Sequence, residues 1–303
     1  MIADNRPRVD NRSLRGAWAL SMRHEAMFAA TLRKITERLI DGRFKSIIEQ
    51  GLDNSSSAKA IIEKLPFFDR RNPDTFAFWR EIADQITVAY ETVVLETIDN
   101  EITRRGWVFE VQKTQDPKTI ATFIKRIALS LAVDLSKKER NRILSVLRRV
   151  FSRNRTIPKN LARELIFRGV GITTKQQAIV TRKVERLIAN GVSRSAALRA
   201  GRETATRFRQ IRAAAISRTE TAHALNYGLR ESWRQAERQG ALPPGTKKKW
   251  LRFEDERSSE ICEELENHEP IGLDEDFNGG GFVGQGPPAH PNCRSTLELV
   301  FPE

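Results

Sequence analysis

The sequence predicts a mainly α protein, with a helical N-terminal region and a small α+β C-terminal domain built from a long helix and a short antiparallel sheet. Three observations point there. Helix start and stop signals recur from Ser13 to Gly240. The stretch from Ser193 to Gly240 is rich in Ala, Arg and Glu and poor in β-branched residues. Only beyond Pro244 does apolar alternation of the strand type set in.

In chain order, Ser13 to Gln50 carries Phe28, Leu32, Ile35 and Leu39 at helical spacing, with Gly51 and the "DNSSS" beyond it as the stop. Asn72 reads as an N-cap before Pro73, and Trp79, Ile82, Ile86, Val93 and Val94 form the apolar stripe that follows. "RRGWVFE", Arg104 to Glu110, reads as a turn or short extended piece. Asp116 before Pro117 repeats the start signal, and Ile120, Phe123, Ile124, Ile127 and Leu131 give the stripe. Ser136 with Glu139 has capping-box spacing, so a fresh basic helix is expected from there to about Phe151. Thr173 with Gln176 is a second such box, closed by Asn190 and Gly191, and Ser193 opens the longest helix, with Gly201 as a point of kinking. "KKKWLRFED" and "RSTLELVF" read as strands, the latter with Leu297, Leu299 and Phe301 on one side; about forty residues of irregular loop lie between them. The expected division is residues 1–172, helical and basic, and 173–303, the C-terminal domain.

At 303 residues with 39% apolar side chains, the chain can bury a substantial core. Its formal net charge is +13, which favours negatively charged partners, nucleic acid first. The charge is segregated: Glu254 to Asp276 holds eleven acidic residues against one basic, Arg257, so the rest is more basic than the total suggests. Lys137, Lys138, Arg140, Arg142, Arg148 and Arg149 crowd one helix and are the candidates for contact with DNA or with an acidic protein surface. No window approaches eighteen apolar residues, and the opening "MIADNRPRVDNRSLRG" has charges and a proline where a signal peptide needs an apolar run. Synthesis in the cytoplasm, without membrane contact during assembly, is therefore expected. His24 lies in a basic helix and is expected at the surface.

The densest motif is "QGPPAHPNCRST", Gln285 to Thr296. Its prolines, Pro287, Pro288 and Pro291, fix backbone angles and remove donors, so the loop should reach the last strand already stiff. The glycine-rich Asn278 to Gly286 before it reads as flexible. On the long helix, Thr219, His223 and Asn226 share one polar stripe, and Arg218 or Glu220 is expected to pair with the Asp255 and Arg257 turn as a scaffold contact.

Taken in order, Arg218, Thr219, Glu220, Asn226, Trp250, Asp255, Arg257, Cys262, Pro287, Pro288, His290, Pro291, Cys293 and Arg294 resemble the C-terminal domain of the phage Mu protein F-like head morphogenesis family. The match covers roughly Thr173 to Glu303. One departure is Ser295, where family members often carry a second cysteine. The resemblance implies a minor capsid protein of a tailed phage or prophage, held in the interior of the head near the portal protein. It further implies action in head assembly, genome packaging or ejection, and it brings no established enzymatic activity; major capsid or scaffold protein is a further expected partner, and the basic helices add double-stranded DNA on the ground of charge.

Cys262 and Cys293 are the only cysteines. Three readings stand side by side. With His290 they supply three ligands of a zinc site, completed by Asp255 or His268; they are packed free thiols; or they form a disulfide once outside the cell. A His290–Cys293 base and nucleophile lacks an orienting group and an oxyanion site. The rival class is a metal-dependent nuclease or toxin-like effector, and with the last strand ending at Phe301 no appended toxin domain is expected.

Overall fold

Proline, which has no N–H to give, stands at the first helical position of two of the longest elements. The computed structural model describes residues 11–38, 42–54, 57–65, 73–107, 117–151, 158–169, 171–253 and 258–302. Within these, α1 spans Asn11–Arg38, α2 Gly42–Asn54, α3 Ala58–Glu63, α4 Pro73–Arg105, α5 Pro117–Val150, α6 Lys159–Arg168, α7 Thr174–Ala189 and α8 Arg194–Arg238. Beyond α8 come β1 (Lys247–Leu251), α9 (Glu260–Glu266), β2 (Ile271–Gly272), β3 (Phe277–Gly279), β4 (Phe282–Gly284) and β5 (Thr296–Val300). The expected mainly α fold with a small C-terminal α+β portion is what is found. No helix among the described residues is long and apolar enough to cross a membrane.

Several element boundaries differ from the sequence reading. No helix starts at Ser136: α5 runs unbroken through it, because the buried face of Ile124, Ala128 and Ala132 continues into Ile143, Val146 and Leu147. Glu139 is instead buried and paired with Arg142. Gly51 does not end its helix; α2 continues to Asn54, and a Cβ at Gly51 would lie 2.9 Å from Ile61 Cγ1, so the residue is small to let α3 approach. The Thr173–Gln176 capping box is present in both directions, and Gly191 takes φ 82° after α7, as the spacing predicts. The α8 helix passes through Gly201 without a break. The caps read at Asn72 and Asp116, and Leu39, lie outside the described residues.

The chain divides into two compact units. One is drawn from Met1–Ala29, Val93–Val111 and Ile216–Glu303, the other from Ala30–Thr92 and Gln112–Ala215. The second is a helical unit whose core joins Ile48, Leu52, Ile61, Leu65, Leu147, Leu165, Val184 and Ala205. Inside it Arg142 is fully buried, donating to Glu139, to Gln177 Oε1 at 2.8 Å and to the Ile166 carbonyl at 3.1 Å, which ties α5, α6 and α7 together.

In the first unit, β1 is the centre of an antiparallel sheet ordered β2–β1–β5, with Trp250 opposite Leu297 and Lys248 opposite Leu299. Trp250, Trp233, Leu265, Phe277, Leu297, Leu299 and both cysteines form one core. Phe277 and Phe282 pack edge-on to Trp250 at 5.4 and 5.7 Å. The run expected to be flexible is a hairpin: β3 pairs with β4, and Gly280 and Gly281, at φ 58° and 77°, make the two-residue turn that suits twisted strands. Phe301, expected in line with Leu299, lies past the end of β5 and is exposed, with Arg105 5.5 Å over its ring.

Candidate functional site

The loop from Gln285 to Thr296 is held along its length by one face of α8. At its start, Gln285 Oε1 accepts from Arg230 Nη1 at 2.5 Å and Arg234 Nη2 at 3.0 Å, while Arg234 Nε also reaches Asp274 Oδ1 at 2.5 Å. Further along, the Asn292 N–H donates to Thr219 Oγ1 at 2.9 Å and Arg218 Nη1 donates to Asn292 Oδ1 at 3.2 Å. At its end, Asn226 Nδ2 donates to the Ser295 carbonyl at 3.3 Å and Asn226 Oδ1 accepts from Thr296 Oγ1 at 3.2 Å. Because side chains three, four and seven apart share a helix face, Arg218, Thr219, Asn226, Arg230 and Arg234 all reach the loop from one side of α8.

These contacts place most of the sequence-predicted motif together, though not always with the expected partners. Arg218 also lies 3.6 Å from Glu25 Oε2. Asp255 and Arg257 lie outside the described residues. Trp250 is fully buried, and Arg294 stacks its guanidinium 5.7 Å over Phe253. Glu220 is half-buried on α8.

A buried lysine is the residue that sequence reasoning missed. Strand alternation puts Lys248 on the same face as Trp250, and its Nζ donates to the carbonyls of Leu273 (2.9 Å), Glu275 (2.6 Å) and Gln285 (3.1 Å). Burial, helped by the nearby positive charges of Arg230 and Arg234, pulls its pKa down to about 8, so it is still largely charged at neutral pH. Burial also lowers Arg230, to about 10. The signal was available: in "KKKWL" the middle lysine is two positions from the tryptophan.

Beside this network the two cysteines and His290 converge. Ser259 caps α9 by accepting the Cys262 N–H at 3.2 Å, which fixes Cys262 in the first turn. Cys262 Sγ lies 3.6 Å from Cys293 Sγ and 3.1 Å from His290 Nε2, and Ser259 Oγ lies 2.7 Å from the same nitrogen. Both thiols are buried and unbridged. The hydrogen bond between them holds Cys262 well below the ordinary thiol range and, with burial, pushes Cys293 up. His268, weighed as a further ligand, is not in this group; its Nδ1 lies 2.9 Å from the Glu269 carbonyl and its ring packs edge-on to Phe277. A pocket lined by Glu25, Arg218, His290, Asn292 and Arg294 opens next to the cluster.

The basic candidates of α5 separate by exposure. Lys137, Lys138 and Arg148 are exposed, with Lys138 2.5 Å from Asp134. Arg140 and Arg149 are half-buried, and Arg149 pairs with Glu185 at 2.7 Å. Arg142 is unavailable to DNA or to a protein partner, a correction that follows from its burial among Glu139, Gln177 and Ile166. His24, expected at the surface, is buried with Nε2 3.3 Å from Glu96 Oε2.

No curated protein and no solved structure matches the chain. A family model does: residues 178–298, less than half of the chain, match the family described as phage Mu protein F like protein. That stretch takes in most of α7, all of α8, the pinned loop and the sheet except the end of β5. Over these residues the chain is similar to the phage Mu protein F-like family.

Proposed function

We propose that the protein is a minor head protein of a tailed phage or prophage, bound near the portal inside the head and acting in head assembly, DNA packaging or DNA ejection. The coarse part of this reading, a phage head morphogenesis protein, rests on the family match. The observation that carries it furthest is that, within the matched stretch, the motif residues Arg218, Thr219 and Asn226 grip the loop ending in the last strand. Residues 173–303 then form the head morphogenesis domain, and residues 1–172 supply the basic helices.

The role is one of binding, with no chemical step assigned to the chain. Lys137, Lys138 and Arg148, exposed on α5, are the side chains that face DNA or an acidic portal surface. Portal protein is the principal partner, with major capsid or scaffold protein and double-stranded DNA as further ones.

The test is co-expression of the tagged chain with the portal and capsid proteins encoded in its own genome. The expected result is incorporation into procapsids and co-purification with portal protein. Procapsids that assemble without the chain, with portal protein absent from the tagged fraction, would overturn the reading.

A further inference from the structure

We infer that Cys262, Cys293 and His290 form a binding site for a single zinc ion, which staples α9 to the loop before β5. The three ligand atoms all lie within 4.8 Å of one another, though they come from two segments about thirty residues apart in sequence. Two thiolates bound to one tetrahedral zinc at about 2.3 Å stand about 3.8 Å apart. The sulfurs here are 3.6 Å apart.

The histidine supplies an independent argument. Its Nδ1 lies 2.9 Å from the Pro291 carbonyl, an acceptor only, so Nδ1 carries the proton and Nε2 presents its lone pair. That lone pair lies 3.1 Å from Cys262 Sγ and is thus on the side of the thiols. Anchoring the far nitrogen on a backbone carbonyl is how metal-bound imidazoles are oriented. A disulfide would use only the sulfurs, drawn in to about 2.05 Å, and would leave the Nε2 lone pair to the Ser259 hydroxyl 2.7 Å away, whereas a metal ion uses all three ligand atoms.

The surroundings also suit a metal. Both cysteines belong to the core around Trp250 and Leu265, which keeps water from the sulfur side, while half-buried His290 lines the neighbouring pocket. Solvent reaching His290 through that pocket provides the fourth ligand. Binding is a simple exchange: the zinc ion takes two thiolates and one neutral imidazole, the two thiol protons pass to solvent, and no electron moves.

The test uses the full chain, purified under reducing conditions, freed of metal and titrated with zinc or cobalt(II). One metal per chain is expected, with release of thiol protons and, for cobalt, the charge-transfer and visible bands of tetrahedral thiolate coordination. Cys293→Ser and His290→Ala should each weaken zinc binding by more than about a hundredfold, beyond the tenfold to hundredfold loss typical of outer-sphere partners. Should the cysteine variant fail to fold, the wild-type chain still decides: zinc must protect both thiols from alkylation until a chelator is added. Absence of cobalt bands, thiols that react equally with and without zinc, or zinc binding untouched by His290→Ala would each overturn the site. Because metal content does not depend on portal protein, this result stands apart from the head-protein reading.

Discussion

Thr219 on α8 accepts the backbone N–H of Asn292 at 2.9 Å, and its neighbour Arg218 donates to the same residue's side chain at 3.2 Å. Asn292 has φ 62°, the left-handed region that asparagine tolerates better than other side chains. The helix therefore holds a strained loop residue by both backbone and side chain. Asn292→Gly should cost little, since glycine relieves the backbone while losing one exposed hydrogen bond. Asn292→Ala loses that bond and adds left-handed strain of about 1–2 kcal/mol. Urea unfolding should rank Asn292→Ala below Asn292→Gly, and the reverse order would argue against this backbone. Thr219→Val, which keeps the shape and removes the acceptor, should lose about 1 kcal/mol.

Lys248 offers a larger effect. One ammonium satisfies three carbonyls, those of Leu273, Glu275 and Gln285, at the point where the β2 and β4 ends meet the start of the pinned loop. Lys248→Met keeps the apolar stem and deletes all three donors. Leaving buried acceptors unsatisfied costs about 1–3 kcal/mol each, so a loss of at least about 3 kcal/mol is expected. Lys247→Met, on the exposed face of the same strand, should be close to neutral; a matched pair of melting curves checks both.

Much of this was legible in the residues. Proline at the helix starts, the Thr173–Gln176 box and the alternation in "STLELV" each express a local rule, and local rules survive folding where nothing opposes them. The misreadings arose where packing overrode a local signal. Ser136 looked like a cap, but the apolar stripe of α5 continues on both sides of it, so the helix does too. Gly51 looked like a stop and is a contact point for Ile61. The glycine run looked loose because composition does not reveal pairing, and only the β3–β4 register shows a hairpin. At the site, the meeting of Cys262 with His290 and Cys293 was readable as a spacing pattern, whereas the grip of Arg230 and Arg234 on Gln285 joins residues some fifty positions apart and left no local trace.

The basic face of α5 makes a prediction that separates charge from architecture. Lys137→Glu/Lys138→Glu/Arg148→Glu removes exposed positive charge, so it should weaken DNA affinity and flatten its salt dependence while leaving the melting temperature nearly unchanged. Arg142→Ala should do the opposite. Deleting a fully buried guanidinium leaves Glu139 without its partner, and breaking a buried pair costs about 3–5 kcal/mol. Filter binding at several salt concentrations, beside thermal melts of the same samples, tests both; a triple variant with an unchanged salt slope would remove α5 from the interface.

His24 sets the expected response to mild acid. Burial lowers its pKa from the ordinary 6.5, Glu96 opposes that shift, and the charge of Arg23 adds to it. A folded-state pKa below the unfolded one means that the unfolded chain binds the extra proton first as pH falls. The contribution of His24 to stability is therefore intact above the unfolded value of about 6.5, is lost as pH falls through the window down to the folded pKa, and changes no further below it. Because carboxylates contribute their own slope at lower pH, the informative quantity is the difference between wild type and His24→Gln. Unfolding midpoints measured at half-unit steps from pH 7.5 to 5.0 should fall more steeply for the wild type in that window. Parallel curves would mean that His24 takes up its proton as readily in the folded chain as in the unfolded one.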